Sequence, residues 1–578
     1  MAIDLAAWRD PRRRALFVTS VVFGASLGIA WRVSQARNEP LPLGQRVAPP
    51  GWPVTFQLPD GWHFQNETND RGDPQVVATG PGRGMQVTIR RERHQRAVLP
   101  ADVTQQAVLD DVGRLAPEHY ESETIAVGPL AGNELQVDFL TMDGGAVSAV
   151  LAAATLPDGT AVVVKALGES RRSGANRRAV ESICRSIEVV EPTLSRSAPG
   201  GAKLKCDVPK GAWAATAGPE GAHLVMLADG DAAAPWRVVA WSTRLLEGRT
   251  LEALAVDRLL TEDLESARYE PVPLAGGAVR RAVMFDRRHG EEYVACAAAD
   301  LGDGRVGMVL GRGGTDVAEA IRAACMTVVA SLSAGPEEPV DWAAARRRGA
   351  AAVAAALRHA PGEDDAQSTQ RWVMRYRGEP TGAIVDSRGP HEGQPGSWEG
   401  LRTVDWRPLP RWRMTQQLRW VQTRANGALD ATIKTVRELP TGDQSHELKL
   451  VRTAGSEGVV LSENIGGRTL QATVAPLDAF VLPWLRDETL AALRDLPAGE
   501  SALLAMVDVH ARAPAWFAVR RGAGDGTVFD LTCDFDETPV RVELDRAGHV
   551  RREVLEEALE IRRASAAELR RRLKWFEE

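Results

Sequence analysis

Between Ala48 and Leu332 the sequence runs through one pattern twice, so whatever fold the first half adopts must also serve the second. The first copy opens Phe56-Gln57-Leu58-Pro59-Asp60-Gly61-Trp62, and the second Cys206-Asp207-Val208-Pro209-Lys210-Gly211-Ala212-Trp213. In each, strand-like alternation stops at a Pro-x-Gly turn and an aromatic follows. Apolar runs at Met85 to Ile89 and Val238 to Trp241 read as strands. Helical spacing comes next, at Asp102 to Ala116 through Val103, Ala107, Val108 and Val112, and at Thr250 to Leu264 through Leu251, Leu254, Leu259 and Leu260. Pro-Leu-Ala-Gly then recurs at Pro129 to Gly132 and Pro273 to Gly276. Two strands follow, the second ending in Leu156, Asp158, Gly159 or in Leu301, Asp303, Gly304. Asp-Gly suits a tight hairpin because Gly accepts positive φ. A third strand, Ala161 to Val164 or Val306 to Leu310, leads to a closing helix, Arg177 to Ile187 or Asp316 to Val328. Cys184 and Cys325 occupy matching places in those helices, on or beside the apolar stripe, and are expected to be buried small hydrophobes.

That order of turn, strands, helix, hairpin strands and terminal helix resembles the PsbP/Mog1-like α/β/α sandwich over about residues 50–190 and 201–333, with the Pro-x-Gly-Trp opening as its motif. The second copy departs by placing Ala212 before Trp213. The resemblance implies small binding or assembly modules rather than enzymes.

Residues Ala15 to Trp31 form an uncharged run behind Arg12, Arg13 and Arg14. At 1.5 Å per residue the run covers roughly 25 Å, and snorkelling arginines with an interfacial Trp can extend it across a bilayer. Arg9 with Arg12 to Arg14 outweighs Arg32 and Arg37, which predicts a cytoplasmic N-terminus. The expectation is a single-pass protein of a bacterial cell membrane with the bulk of the chain extracytoplasmic. The alternative is a cleaved signal peptide, with Ser34 and Ala36 before the cut and a secreted or periplasmic product.

Beyond the repeats, Gly335 to Pro339 marks a boundary, and Asp341 to Ala360 is Ala-rich and basic enough to form a helix. Pro361 to Thr369 and Pro390 to Gly400 read as mobile loops. From Gln370 the pattern turns to alternating segments: Arg371 to Arg377, Met414 to Thr423, Asp430 to Glu438, His446 to Arg452, Gly458 to Glu463 and Thr469 to Val474. Short helices are expected at Asp478 to Leu485 and Glu488 to Leu493, then strands again from Ala502 to Leu544 and a helix at Ala564 to Trp575. Successive hairpins around a helical excursion predict a curved antiparallel sheet with helices on its concave side. This resembles the lipoprotein-carrier-like folds of bacterial envelopes. If so, Trp406, Trp412, Trp420, Trp484 and Trp516 would line a pocket for a lipid or other hydrophobic ligand; as ordinary core residues they would simply be buried.

The expected fold class is thus α+β and multidomain: an N-terminal transmembrane helix, two tandem α/β/α sandwich repeats and a C-terminal curved antiparallel sheet with helices. The divisions are 1–14 (basic N-terminus), 15–31 (anchor or signal segment), 32–49 (linker), 50–190 and 201–333 (repeats, joined by 191–200), 334–369 (linker with the Ala/Arg-rich helix) and 370–578 (sheet domain).

Chemistry is sparse. A formal charge of −7 argues against a nucleic-acid partner. The five cysteines form no Cys-x-x-Cys pair and the ten histidines no His-x-x-x-His, so no metal site is expected. Gly311-Arg312-Gly313-Gly314 lacks the remainder of a phosphate loop and reads as a strand-to-helix connection. Neither Asp534 and Asp536 nor Asp364 and Asp365 belongs to a Ca²⁺ loop. No catalytic residue and no cofactor is expected. The function implied is non-catalytic: binding an envelope protein partner or organising an assembly, with hydrophobic-ligand carriage by residues 370–578 as the alternative and a hydrolase with dispersed residues behind both.

Overall fold

A computed structural model describes residues 40–576 apart from short internal stretches, the longest being 272–281 and 359–367. In the first unit a seven-stranded antiparallel sheet runs, edge to edge, His63–Thr68, Pro74–Thr79, Gln86–Arg93, Thr160–Glu169, Ala146–Thr155, Leu130–Leu140 and His119–Val127. The second unit sets Ala212–Ala217, His223–Ala228, Trp236–Arg244, Arg305–Gly314, Glu292–Gly302, Ala282–His289 and Arg268–Pro271 in the same order.

Period two sorts each strand between the faces. Leu135, Val137, Leu151 and Val163 pack with Val103 and Ala107 of the helix Pro100–Val112. Their neighbours Val150, Ala152, Val162 and Val164 face the other way, onto Ala179, Val180 and Ile183 of the helix Ser173–Arg185. The second unit repeats this with Ile321, Cys325 and Val328 of Ala318–Ser331 on one face and Leu251, Leu254 and Ala255 of Leu251–Leu260 on the other. Cys184 and Cys325 are both fully buried with free thiols. The 311–314 glycine run is not a connection. It ends the strand Arg305–Gly314, where a Cβ on Gly311 would stand 2.4 Å from Cys325 Sγ, so the missing side chain is what lets the closing helix settle on the sheet. The first unit has Ala166 at the equivalent rung.

The expected α+β class is overturned. Strands dominate all three regions, and among the described residues the ladders are antiparallel except for the short pair of Phe480–Val481 with Ala505 and Met506. What read as α/β/α sandwiches are mainly β units, because the Ala/Val runs 146–155 and 160–169 extend as ten-residue strands where the pattern suggested shorter ones. Ala favours helix in isolation, but two-sided burial beside Val wins here. Among the described residues no helix is long and apolar enough to cross a membrane. The expected transmembrane segment, 15–31, lies outside the described residues.

The two openings diverge in use. Trp62 is buried in its own unit, its indole lying against Gly80. Trp213 instead reaches the first unit, its Nε1–H donating to the Pro129 carbonyl at 2.8 Å, with the Arg196 guanidinium 3.8 Å above its ring. Gly230 N–H donates to the same carbonyl at 3.0 Å, and Thr124 Oγ1–H to the Ala233 carbonyl at 3.0 Å.

The C-terminal region holds one fifteen-stranded sheet. Eight strands from Ser368–Tyr376 to Arg468–Val474 form one arm as a meander, and Phe480–Val481 through Leu559–Arg563 form the other. Pairing of Ser368–Tyr376 with Leu559–Arg563 joins the arms at the middle of the sheet. Trp342–Arg358 is a helix packed on Ser501–Val507, so close that a Cβ on Gly349 would meet the Leu503 carbonyl at 1.9 Å. In the stretch 390–400, expected to be a mobile loop, residues 397–400 already belong to the strand Ser397–Leu409, and His391 N–H donates to the Ser397 carbonyl at 2.9 Å where that strand follows Glu379–Pro390.

Candidate ligand-binding site

The two arms face each other across a cavity of about 160 Å³. Met374, Ile384, Val404, Trp406 and Met414 line it from the first arm. Met506, Phe517, Leu531, Val540, Leu555 and Ile561 line it from the second. Alternation explains the apolar wall: Ile384 pairs with Val404, and Trp406 with both Gly382 and Met414, so each inward residue sits beside inward residues of the next strand. Polar groups reach the lining at four places, Arg402, Gln416, Arg486 and Glu553. The Gln416 amide is already spoken for, donating to Thr435 Oγ1 at 3.1 Å.

One end of the cavity opens into a polar recess that shares Arg402, Arg486, Glu553 and Ile561 with it. The recess collects three arginines and four carboxyl groups. A seven-residue helix, Arg486–Ala492, lies between the arms and ties them together: Arg486 pairs with Glu553 of the second arm at 2.8 Å, and Glu488 with Arg388 of the first at 2.7 Å. Asp386, beside Arg402 on the neighbouring strand, keeps Oδ1 buried without a hydrogen-bond partner. Burial pushes its carboxyl above the usual range, against the pull of Arg402 and Arg388. Asp487 is likewise pushed up to about 6, first by burial and then by Glu488 and Glu553, while Arg486 and Arg402 pull down. Arg402 differs from the other two arginines. Its guanidinium lies 5.8 Å from the centre of the Trp372 ring and, among the described residues, makes no hydrogen bond or ion pair.

Of the tryptophans singled out from sequence, Trp406 lines the cavity. Trp420 is buried elsewhere in the core, its indole filling the space above Gly400, and Trp516 is buried without reaching the lining. Trp412 begins the strand Trp412–Thr423, and Trp484 lies outside the described residues. Trp420 and Trp516 are thus buried without being among the residues that line this cavity. Sequence reasoning missed Asp386, Arg388, Arg402, Arg486 and Glu553. The signal was present as period-two spacing in Ile384, Asp386, Arg388 and in Arg402, Val404, Trp406, but Pro380, Gly382, Gly389 and Pro390 read as breakers.

No family model and no curated protein matches the chain. Among solved structures it is similar to cyanobacterial PsbP from Synechocystis, at 15% identity over 25% of this chain and 91% of that one, with a TM-score of 0.20. It is also similar to a beta-barrel-like protein, a domain of unknown function from Brucella abortus, at 13% identity over 34% of this chain and 93% of that one, with a TM-score of 0.23. These likenesses support a weak PsbP-like resemblance and carry no argument about function.

Proposed function

We propose that the protein is a non-catalytic binding protein whose C-terminal sheet takes up a small apolar ligand. The observation that carries this reading is the cavity of about 160 Å³ with apolar walls between the two arms. An apolar cavity of roughly 150 Å³ is large enough to admit benzene, so the volume suits a short aliphatic chain or a single ring. Among the described residues its lining includes neither serine, threonine, cysteine nor histidine, which favours binding over nucleophilic chemistry. The curved-sheet carriers that residues 370–578 resemble fit the same reading. The uncharged run 15–31 fits a chain held at a bacterial membrane with its bulk outside the cytoplasm, and the docked pair of N-terminal units fits a surface for an envelope protein partner.

Titration calorimetry of the intact chain with octan-1-ol tests the ligand reading. Val540→Phe places a ring in the cavity and is expected to weaken octanol binding at least tenfold while far-UV circular dichroism stays unchanged. Equal binding by both proteins, or none by the wild type, would overturn it.

A further inference from the structure

We infer that the ligand is an aliphatic monocarboxylate whose chain occupies the apolar cavity and whose carboxylate is received by the Arg402 guanidinium at the entrance to the polar recess. This rests on the cavity being a binding site and goes further by naming the ligand's chemical class.

Three observations converge on Arg402. It lines both the apolar cavity and the recess and, among the described residues, makes no hydrogen bond or ion pair, whereas Arg486 is held by Glu553 and Arg388 by Glu488. A guanidinium carries five N–H donors in a planar fork matched to a carboxylate. The Trp372 ring centre lies 5.8 Å from the guanidinium carbon, near the outer limit of a cation–π attraction, and offers no acceptor to the N–H groups.

Asp386 supplies the second donor. It lies on the rung opposite Arg402, and its Oδ1 is buried without a partner. With its carboxyl held toward the protonated form by burial, an O–H there can donate to the ligand's second oxygen. The ligand's negative charge also suits the recess. Burial holds Asp386 and Asp487 toward their protonated forms, which weakens the negative charge set against the three arginines. A cationic head group would be repelled by Arg402, and a lone hydroxyl oxygen could accept from only part of its fork.

The test compares octanoate with octan-1-ol, which share a chain length and differ in the head group, by titration calorimetry on the intact chain at pH 6. Wild type is expected to bind octanoate at least tenfold more tightly than octanol. Arg402→Gln should erase that preference and leave octanol affinity within twofold, whereas Arg402→Lys, which keeps the charge and loses the fork, should restore part of it. If octanol binds and octanoate binds no more tightly, or Arg402→Gln retains the preference, the head-group assignment is wrong and the apolar cavity reading stands. If neither ligand binds, both fall. Val540→Phe should weaken binding of both ligands at least tenfold, and its failure to do so would place them elsewhere on the protein.

Discussion

In the first unit two helices of 13 residues each cover opposite faces of a seven-stranded sheet, whereas a seven-residue helix bridges the arms of the fifteen-stranded sheet. Both regions use antiparallel strands with inward Val, Ile and Leu. What separates them is how the inward face is covered. A helix laid flat on a sheet packs best on small residues, and the units supply them at Ala152, Ala166, Gly311 and Gly313. Facing arms cannot interdigitate everywhere, and the helix that spans them brings Arg486, Asp487 and Glu488 with it. Close packing favours stability, and the residual space favours a ligand. The same chain places them in separate regions.

Added volume should be felt very differently in the two regions. Gly311→Leu would drive a side chain into Cys325 and Ile321, and a well-packed interior tolerates this poorly. A loss of about 3 kcal/mol is expected, read as a lower midpoint in urea unfolding followed by tryptophan fluorescence. Val540→Phe adds comparable bulk to the cavity wall and should cost less than about 1 kcal/mol, because the space is there to receive it. Equal losses from the two substitutions would mean that the C-terminal sheet is packed as tightly as the units.

The first unit buries Glu134 beneath its closing helix, where Arg177 is shared among Glu134 at 2.7 Å, Glu181 at 3.2 Å and Glu123. One guanidinium cannot neutralise three carboxylates. Burial, followed by repulsion from Glu181 and Glu121, pushes Glu134 up to about 8. The folded state therefore holds a proton that the unfolded state releases near pH 4.5, so this contribution is complete below pH 4.5 and is lost as pH rises through 8. Glu134→Gln should leave stability unchanged near pH 4 and raise it by a few kcal/mol at pH 9, at about 1.4 kcal/mol per pKa unit. Unfolding measured across that range would show the mutant's curve flattened. Parallel curves for mutant and wild type would remove Glu134 as the source. The second unit carries Met284 at the equivalent rung and gives no such dependence.

The sequence made the units' internal order legible because its punctuation is physical. Gly159 and Gly304 take positive φ at the hairpins, as the Asp-Gly pairs require. Strand lengths were less legible, since Ala-rich runs look helical until the sheet buries both their faces. In the C-terminal region the strands 414–423 and 430–438 were readable to within a residue or two of Trp412–Thr423 and Leu429–Leu439. Glu379–Pro390 and Ser397–Leu409 were not, and these two carry Asp386, Arg388 and Arg402. Inward charges break the apolar alternation that marks a strand, so the residues that make a polar recess also hide the strands that hold it. The pairing of Arg402 with a void is a property of strands from both ends of the region and has no local signature.

The smallest effect concerns the helix Ala566–Arg572, which covers the sheet from outside and leaves the cavity alone. Ser565 precedes it and accepts a hydrogen bond from Glu568 N–H at 3.1 Å, the Ser-x-x-Glu pattern that marks a helix start. Glu568 in turn pairs with Arg572 at 2.9 Å. Leu569 and Leu573 fix the helix on Val373 and Ala383, whose neighbours Trp372 and Met374 point to the opposite face, toward the cavity side. Ser565→Ala removes the cap and should cost about 1 kcal/mol, confined to this helix. Amide exchange should quicken across residues 566–572 while octanol affinity stays within twofold of wild type. A fall in octanol affinity would mean that the outer helix props the cavity open through Val373 and Ala383, and the division between a packed exterior and a hollow interior would then have to be redrawn.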